Sequence, residues 1–173
     1  MSASADTTDP RLESWIVVAP ESDFPIQNLP FGLFERDGRA RIGVAIGAQV
    51  VDLYEIAQAG LLDGVCERAL LVASQLNLLL AAGRSVWTPL RSRLSQLLRT
   101  GGDPGVREGD LERFLCPQDA AIMRVPMEIG DYVDFYSSLE HATNLGKLFR
   151  PNAEALLPNW RWLPVGYHGR SST

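Results

Sequence analysis

Cysteine and histidine are scarce, with two of each in 173 residues. Cys66 and Cys116 stand far apart with no metal-type spacing. That pattern excludes a zinc ribbon or a disulfide framework and reads as two buried thiols in a reducing cytosol. One-sided charge is also missing. The chain has 16 Lys and Arg against 21 Asp and Glu, a net charge of −5, and the basic residues are scattered. A nucleic-acid partner calls for a basic cluster on one element, so this class is excluded. Arg91, Arg93 and Arg99 share one stretch, which reads as a solvated helix face. Long apolar runs are absent as well. Ala69 to Ala82 is interrupted by Ser74, Gln75 and Asn77, too short and too broken to span a bilayer. Met1 to Pro10 is small and polar, without the apolar core of a signal peptide. No internal repeat is present. What remains is an acidic chain with 46% apolar and 21% charged residues, the composition of a soluble, cytoplasmic globular protein. Its length suits one domain or slightly more.

Two periodicities divide the chain. From residue 15 to 53 the pattern is that of strands. Trp15 to Val18 is a short candidate. Leu33 to Arg36 and Arg39 to Ile42 flank Asp37-Gly38, a two-residue hairpin signal. Ile42, Val44 and Ile46 alternate with small residues, and Gly47-Ala48-Gln49 turns the chain into Val50 to Leu53. Pro25 and Pro30 confine Phe24 to Phe31 to an edge or an ordered loop. Several short strands with tight turns predict a small antiparallel barrel. From 54 to 100 the period becomes helical: Ala69, Val72, Ala73, Leu76 and Leu80 form one stripe, closed by Gly83. Val86, Leu90, Leu94, Leu97 and Leu98 form another over about 86 to 99, with Pro89 in its first turn. Residues 101 to 114 read as a surface loop, and the polar start of the chain as a mobile tail.

After Gly130 the character changes again. Both histidines and three of the four tyrosines lie there, a concentration that marks either a site or an aromatic core. In Asp131-Tyr-Val-Asp-Phe-Tyr-Ser-Ser-Leu-Glu-His-Ala-Thr-Asn-Leu-Gly146, Asp134 and Tyr136 are two apart, so on a strand they share a face. A carboxylate there can hold a hard cation, and a phenol can donate to a substrate oxygen. His141 can take a proton near neutral pH. The planar fork of Arg150 suits a substrate carboxylate. Against this stand plainer roles: a cap or surface charge for Asp134, a structural histidine, and an Arg150 that pairs with Glu140 or Glu154. One carboxylate by itself does not establish a metal.

The motif over 131 to 146 closely resembles the opening of the catalytic domain of fumarylacetoacetases. Ala155-Leu-Leu-Pro-Asn-Trp160 and Leu163-Pro-Val-Gly-Tyr-His-Gly-Arg170 resemble the stretch that follows. Ser22-Asp-Phe-Pro-Ile-Gln-Asn-Leu-Pro-Phe-Gly32 and Arg41-Ile-Gly-Val-Ala-Ile-Gly47 resemble the family's amino-terminal barrel. The resemblance implies a mainly β fold with some α. A Src-homology-3-type β-barrel with helices over 13–125 would follow a disordered tail at 1–12. The truncated start of a mixed β-sandwich roll would occupy 126–173. It implies hydrolysis of 4-fumarylacetoacetate to fumarate and acetoacetate, the last step of tyrosine and phenylalanine catabolism. By position, Asp134 corresponds to a ligand of calcium, with magnesium as a second ion. His141 corresponds to the general base, and Tyr136, Arg150 and Tyr167 to substrate-binding residues. The substrate is a diketo diacid, and the full-length family protein is a homodimer.

Leu139 replaces a common arginine of the family, and Val133 and Trp162 replace more polar residues. Family members run much longer. The other metal ligands, the oxyanion-stabilising Lys, Arg and Gln, and the carboxylate that orients the histidine are therefore expected beyond Thr173. On this reading the 173 residues are a fragment lacking most of the active site. An alternative is a non-catalytic barrel module for assembly, and a third is a related carbon–carbon lyase or isomerase acting on another diketo acid.

Overall fold

The computed structural model describes residues 6–102 and 111–169. The chain divides into two units, Met1–Glu128 and Ile129–Thr173.

The first unit is organised by the hairpin. Strands β1 (Phe31–Arg36) and β2 (Arg39–Ile46) pair antiparallel through Asp37 and Gly38. Those two residues have φ of 53° and 70°, the pair of positive values that a twist-matched two-residue turn requires. A second turn at Gly47 leads into β3 (Gln49–Asp52). Gly47 has φ 53°, and a Cβ there would lie 2.5 Å from the Val17 carbonyl oxygen, so any side chain is excluded by space as well as by backbone conformation. Strands β4 (Leu115–Pro117) and β5 (Ile122–Arg124) complete a five-stranded sheet in the order β4-β3-β2-β1-β5. Every pairing is antiparallel. Among the described residues β4 and β5 remain the two edges, so the sheet is not a closed barrel. The architecture is a mixed sheet-and-helix one.

Side chains alternate across the sheet. Leu33, Ile42, Val44 and Val51 join the main core, whereas Phe34 and Val50 form a smaller cluster with Cys116 on the opposite face. Gly43 lies on that second face, where a Cβ would meet Val50 at 2.4 Å. Helix α1 (Leu53–Gln58) begins at Asp52, whose carboxylate accepts from the amides of Tyr54 and Glu55. Asp52 is fully buried and also receives Arg41 at 2.8 Å and Arg36 at 3.4 Å. Burial pushes its carboxyl up, against the pull of Arg41 and Arg36. Burial also opposes the charge on Arg41, but Asp52 and Glu55 outweigh it and hold the guanidinium above its ordinary value.

The single helix expected from Ala69 to Leu80 is interrupted. It forms α2 (Arg68–Leu71) and α3 (Asn77–Ala81), with bends between. The Leu76 amide donates instead to Pro126, and the Asn77 side chain pairs with the backbone of Glu128. These long-range bonds displace the local helical ladder. Helix α4 (Arg84–Leu98) buries Leu90, Leu94, Leu97 and Leu98 as the stripe predicts. It starts two residues earlier than expected, which puts Pro89 past the first turn. Arg91 and Arg93 are not a solvated face. Their guanidinium groups hold the carbonyls of Gln27, Leu29 and Leu61.

Residues 15 to 18 form no strand; one isolated bridge joins Ser14 to Arg99. Their donors serve another purpose. Ser14 Oγ and the Trp15 amide bond the Leu98 carbonyl, and the Trp15 indole bonds Leu97. They thereby satisfy carbonyls that the end of α4 would leave orphaned. Of the expected tail, the described part is held by Gln27 Nε2, which donates to the carbonyls of Asp9 and Leu12. The expected loop over 101–114 lies mostly outside the described residues, and its last part forms α5 (Leu111–Phe114). Both cysteines are free thiols, Cys116 buried and Cys66 half-buried. Among the described residues, no helix is long and apolar enough to cross a membrane.

The second unit contains a two-stranded ribbon, β6 (Val133–Asp134) with β7 (Tyr167–His168), and helix α6 (Leu139–Phe149) between them. Ser138 caps α6, accepting from the amide of His141 at 3.2 Å. Ala142 and Gly146, one turn apart, are the buried positions of α6.

Candidate active site

The ribbon places Asp134 directly opposite Tyr167, the arrangement in which cross-strand side chains meet. The Tyr167 hydroxyl donates to Asp134 Oδ2 at 3.0 Å. Tyr132, immediately ahead of β6, donates to the same oxygen at 3.1 Å. The Tyr136 amide donates to Oδ1 at 2.8 Å. The expectation that Asp134 and Tyr136 share a strand face is therefore corrected. Strand β6 ends at Asp134, and the two-residue spacing serves an Asx turn from carboxylate to backbone.

Tyr136 faces a different group of residues. Together with Arg150, Gly146, Trp160 and Val165 it lines a cavity of about 150 Å³. Arg150 is the C-cap of α6. It bonds neither carboxylate weighed for it. Nε donates to the Glu154 carbonyl at 3.3 Å and Nη2 to that of Ala155 at 2.6 Å. This fixes the turn after the helix, and Gly146 permits it, because a Cβ there would lie 1.9 Å from the Ala155 oxygen. His141 occupies the first turn of α6. Its backbone is held by the cap and its side chain is exposed. Thus the described structure brings Asp134 together with Tyr167, and Tyr136 with Arg150. It records no hydrogen bond from the His141 imidazole to either pair.

A cation site needs more than this unit provides. Calcium takes six to eight oxygens, and among the described residues no three His, Cys, Asp or Glu side chains converge to hold a metal. Asp134 fits as one ligand of such a site. It is a hard oxygen donor that accepts from two phenol hydroxyls and an amide. Tyr132 was not singled out by sequence. The signal was available, since Tyr132 stands two residues from Asp134, as Tyr136 does.

Three of the four residues with these polar contacts are aromatic, and the ribbon–helix unit follows a helix-flanked antiparallel sheet. That combination defines a two-unit protein of mixed antiparallel sheet and helix whose polar site lies on its carboxyl-terminal unit. The Fumarylacetoacetase N-terminal family matches residues 27–126, and the chain belongs to it. It is 46% identical over 170 residues to a fumarylacetoacetase of Caenorhabditis elegans, covering 94% of this chain and 40% of the relative. It is 45% identical over 166 residues to that of Rattus norvegicus and 46% over 168 to that of Homo sapiens, covering 92% of this chain and 39% of each relative. The chain spans about 40% of the length of the curated relatives it matches. Such coverage leaves too few residues unmatched to omit the second unit.

Proposed function

We propose that this chain supplies the amino-terminal unit and the first catalytic segment of an enzyme that hydrolyses 4-fumarylacetoacetate to fumarate and acetoacetate, closing tyrosine and phenylalanine breakdown in the cytoplasm. The observation that carries the proposal is the identity of 46% with a fumarylacetoacetase, sustained over 94% of the chain. In this reading His141 takes a proton from water, and the resulting hydroxide adds to one diketone carbonyl. The carbon–carbon bond then breaks, its electron pair leaves as the acetoacetate enolate, and a proton completes the product. Arg150 and Tyr136, on one small cavity, receive a carboxylate end of the diacid. At about 150 Å³ the cavity is below the usual range for a whole ligand, roughly 300–1,000 Å³. Asp134 contributes one ligand to calcium, with magnesium as a second ion; a bound divalent cation stabilises charge on the diketone oxygens. The orienting partner of His141 belongs to polypeptide outside the described residues, and the working enzyme is a homodimer.

The strand order, in which β5 returns to pair with β1, supports an open barrel of the Src-homology-3 type for the first unit.

The test is His141→Ala in the full-length protein, followed by loss of fumarylacetoacetate absorbance. Turnover disappears while the circular dichroism spectrum is retained; persistent turnover removes His141 from the mechanism. A second reading, a non-catalytic module, is favoured by the first unit's own core. It gains if a protein of residues 6–128 melts cooperatively and the full-length protein cleaves no diketone.

A further inference from the structure

Among the described residues, Asp134 accepts from the Tyr136 amide and from two phenols. Strand register explains one phenol, and the anchored segment ahead of the strand the other. Tyr167 is the cross-strand partner of Asp134, while Tyr132 lies immediately ahead of β6 and its hydroxyl reaches the same carboxylate oxygen. The main chain of Tyr132 is fixed independently, because its carbonyl accepts from the Gly169 amide at 2.8 Å. Its ring therefore starts from an anchored position on the ribbon, and the hydroxyl reaches Oδ2 at 3.1 Å. The Tyr136 amide fixes the other oxygen. A carboxylate that serves a hard cation must keep its charge while losing its rotational freedom. Neutral donors accomplish this, since they orient the oxygens without supplying a counter-charge.

We propose that Tyr132 is a positioning residue for Asp134, holding its carboxylate with Tyr167 in the orientation that presents it to a divalent cation. The inference rests on the reading of Asp134 as a cation ligand. Tyr132 itself touches neither cation nor substrate in this scheme. Its hydroxyl acts through the carboxylate, and phenylalanine keeps the ring while removing the oxygen.

The experiment uses the full-length protein with Tyr132→Phe, Asp134→Asn and the double variant, titrated with calcium in a calorimeter. Tyr132→Phe weakens calcium affinity about tenfold, the lower end of the range for partners that orient metal ligands. Its melting temperature stays at the parent value, and excess calcium restores its turnover. In the Asp134→Asn background it adds no further loss of affinity. Parental affinity in Tyr132→Phe alongside weakened affinity in Asp134→Asn overturns the proposal and leaves the reading of Asp134 standing. Unchanged affinity in Asp134→Asn removes that reading and the proposal with it. If Tyr132→Phe lowers the melting temperature equally in both backgrounds, Tyr132 is a structural residue of the ribbon and the proposal fails.

Discussion

Removing the Asp52 carboxylate should cost the first unit more than any exposed charge would. Asp52 has no exposed surface and accepts from four groups: Arg41 at 2.8 Å, Arg36 at 3.4 Å, and the amides of Tyr54 at 3.0 Å and Glu55 at 3.3 Å. Asp52→Ala deletes the cap of α1, worth about 1 kcal/mol. It also strips Arg41, which is only 9% exposed, of its closest partner. Breaking a buried pair from one side costs about 3–5 kcal/mol when nothing compensates. Glu55 at 3.1 Å and Asp37 at 3.3 Å remain beside Arg41, and Arg36 can turn to water, so the low end applies. The sum is about 4 kcal/mol, a large part of the usual 5–15 kcal/mol of a folded domain. At about 3 °C per kcal/mol it lowers the melting temperature by roughly 10 °C. Thermal unfolding followed by circular dichroism reads this directly. Asp52→Asn keeps an acceptor for the cap amides and should lose about 1 kcal/mol less. A melting temperature for Asp52→Ala within about 3 °C of the parent, under 1 kcal/mol, would refute the account of this network.

Two further outcomes follow from contacts in each unit. Gly146→Ala drives a Cβ to 1.9 Å from the Ala155 oxygen; the overpacking penalty of about 1–3 kcal/mol exceeds the helix-propensity gain of about 1 kcal/mol. Because the displaced turn carries the Arg150 contacts, the full-length variant should show a raised KM for the diacid, and an unchanged KM would detach this turn from substrate binding. Burial is the largest single influence on Glu55 and would raise its carboxyl, yet Arg113 and Arg41 together hold it below its ordinary value of 4.5. A depressed carboxyl stabilises the fold above that value and loses its contribution as pH falls through the folded value. Glu55→Gln should therefore flatten the acid limb of stability below about pH 4.5 in urea titrations, and an acid limb as steep as the parent's would contradict the ion-pair assignment.

Local chemistry was legible where a residue type is the structural requirement. Asp37-Gly38 announces its turn because both positions need positive φ, and the leucines of α4 announce their burial through spacing alone. Periodicity failed where a distant carbonyl competes for a local amide. The stripe from Ala69 to Leu80 is genuinely helical in period, yet Pro126 takes the Leu76 amide and the backbone of Glu128 takes the Asn77 side chain. Neither partner is visible from within the stripe. The strand expected over 15 to 18 failed for the same reason, since its donors are spent on the carbonyls of Leu97 and Leu98. Sheet closure is harder still, because it depends on how far β2 coils, a tertiary property without a residue signature.

At the candidate site the residue types were legible and their pairing was not. Period-two reasoning linked Asp134 to Tyr136, but the strand ends at Asp134, and the phenol that meets the carboxylate from this segment is Tyr132, two residues upstream. A strand's direction of continuation decides which i±2 neighbour meets a carboxylate, and composition is blind to that direction. Motif resemblance did not supply it either, because Tyr132 and Tyr136 both lie inside the matching stretch. The register with Tyr167 resolves the choice. Asp134 faces Tyr167 across the ribbon, the Tyr132 hydroxyl just ahead of the strand reaches the same oxygen, and Tyr136 lines the cavity it shares with Arg150. The two tyrosines flanking Asp134 therefore divide the work, one oriented toward the carboxylate and the other toward the arginine.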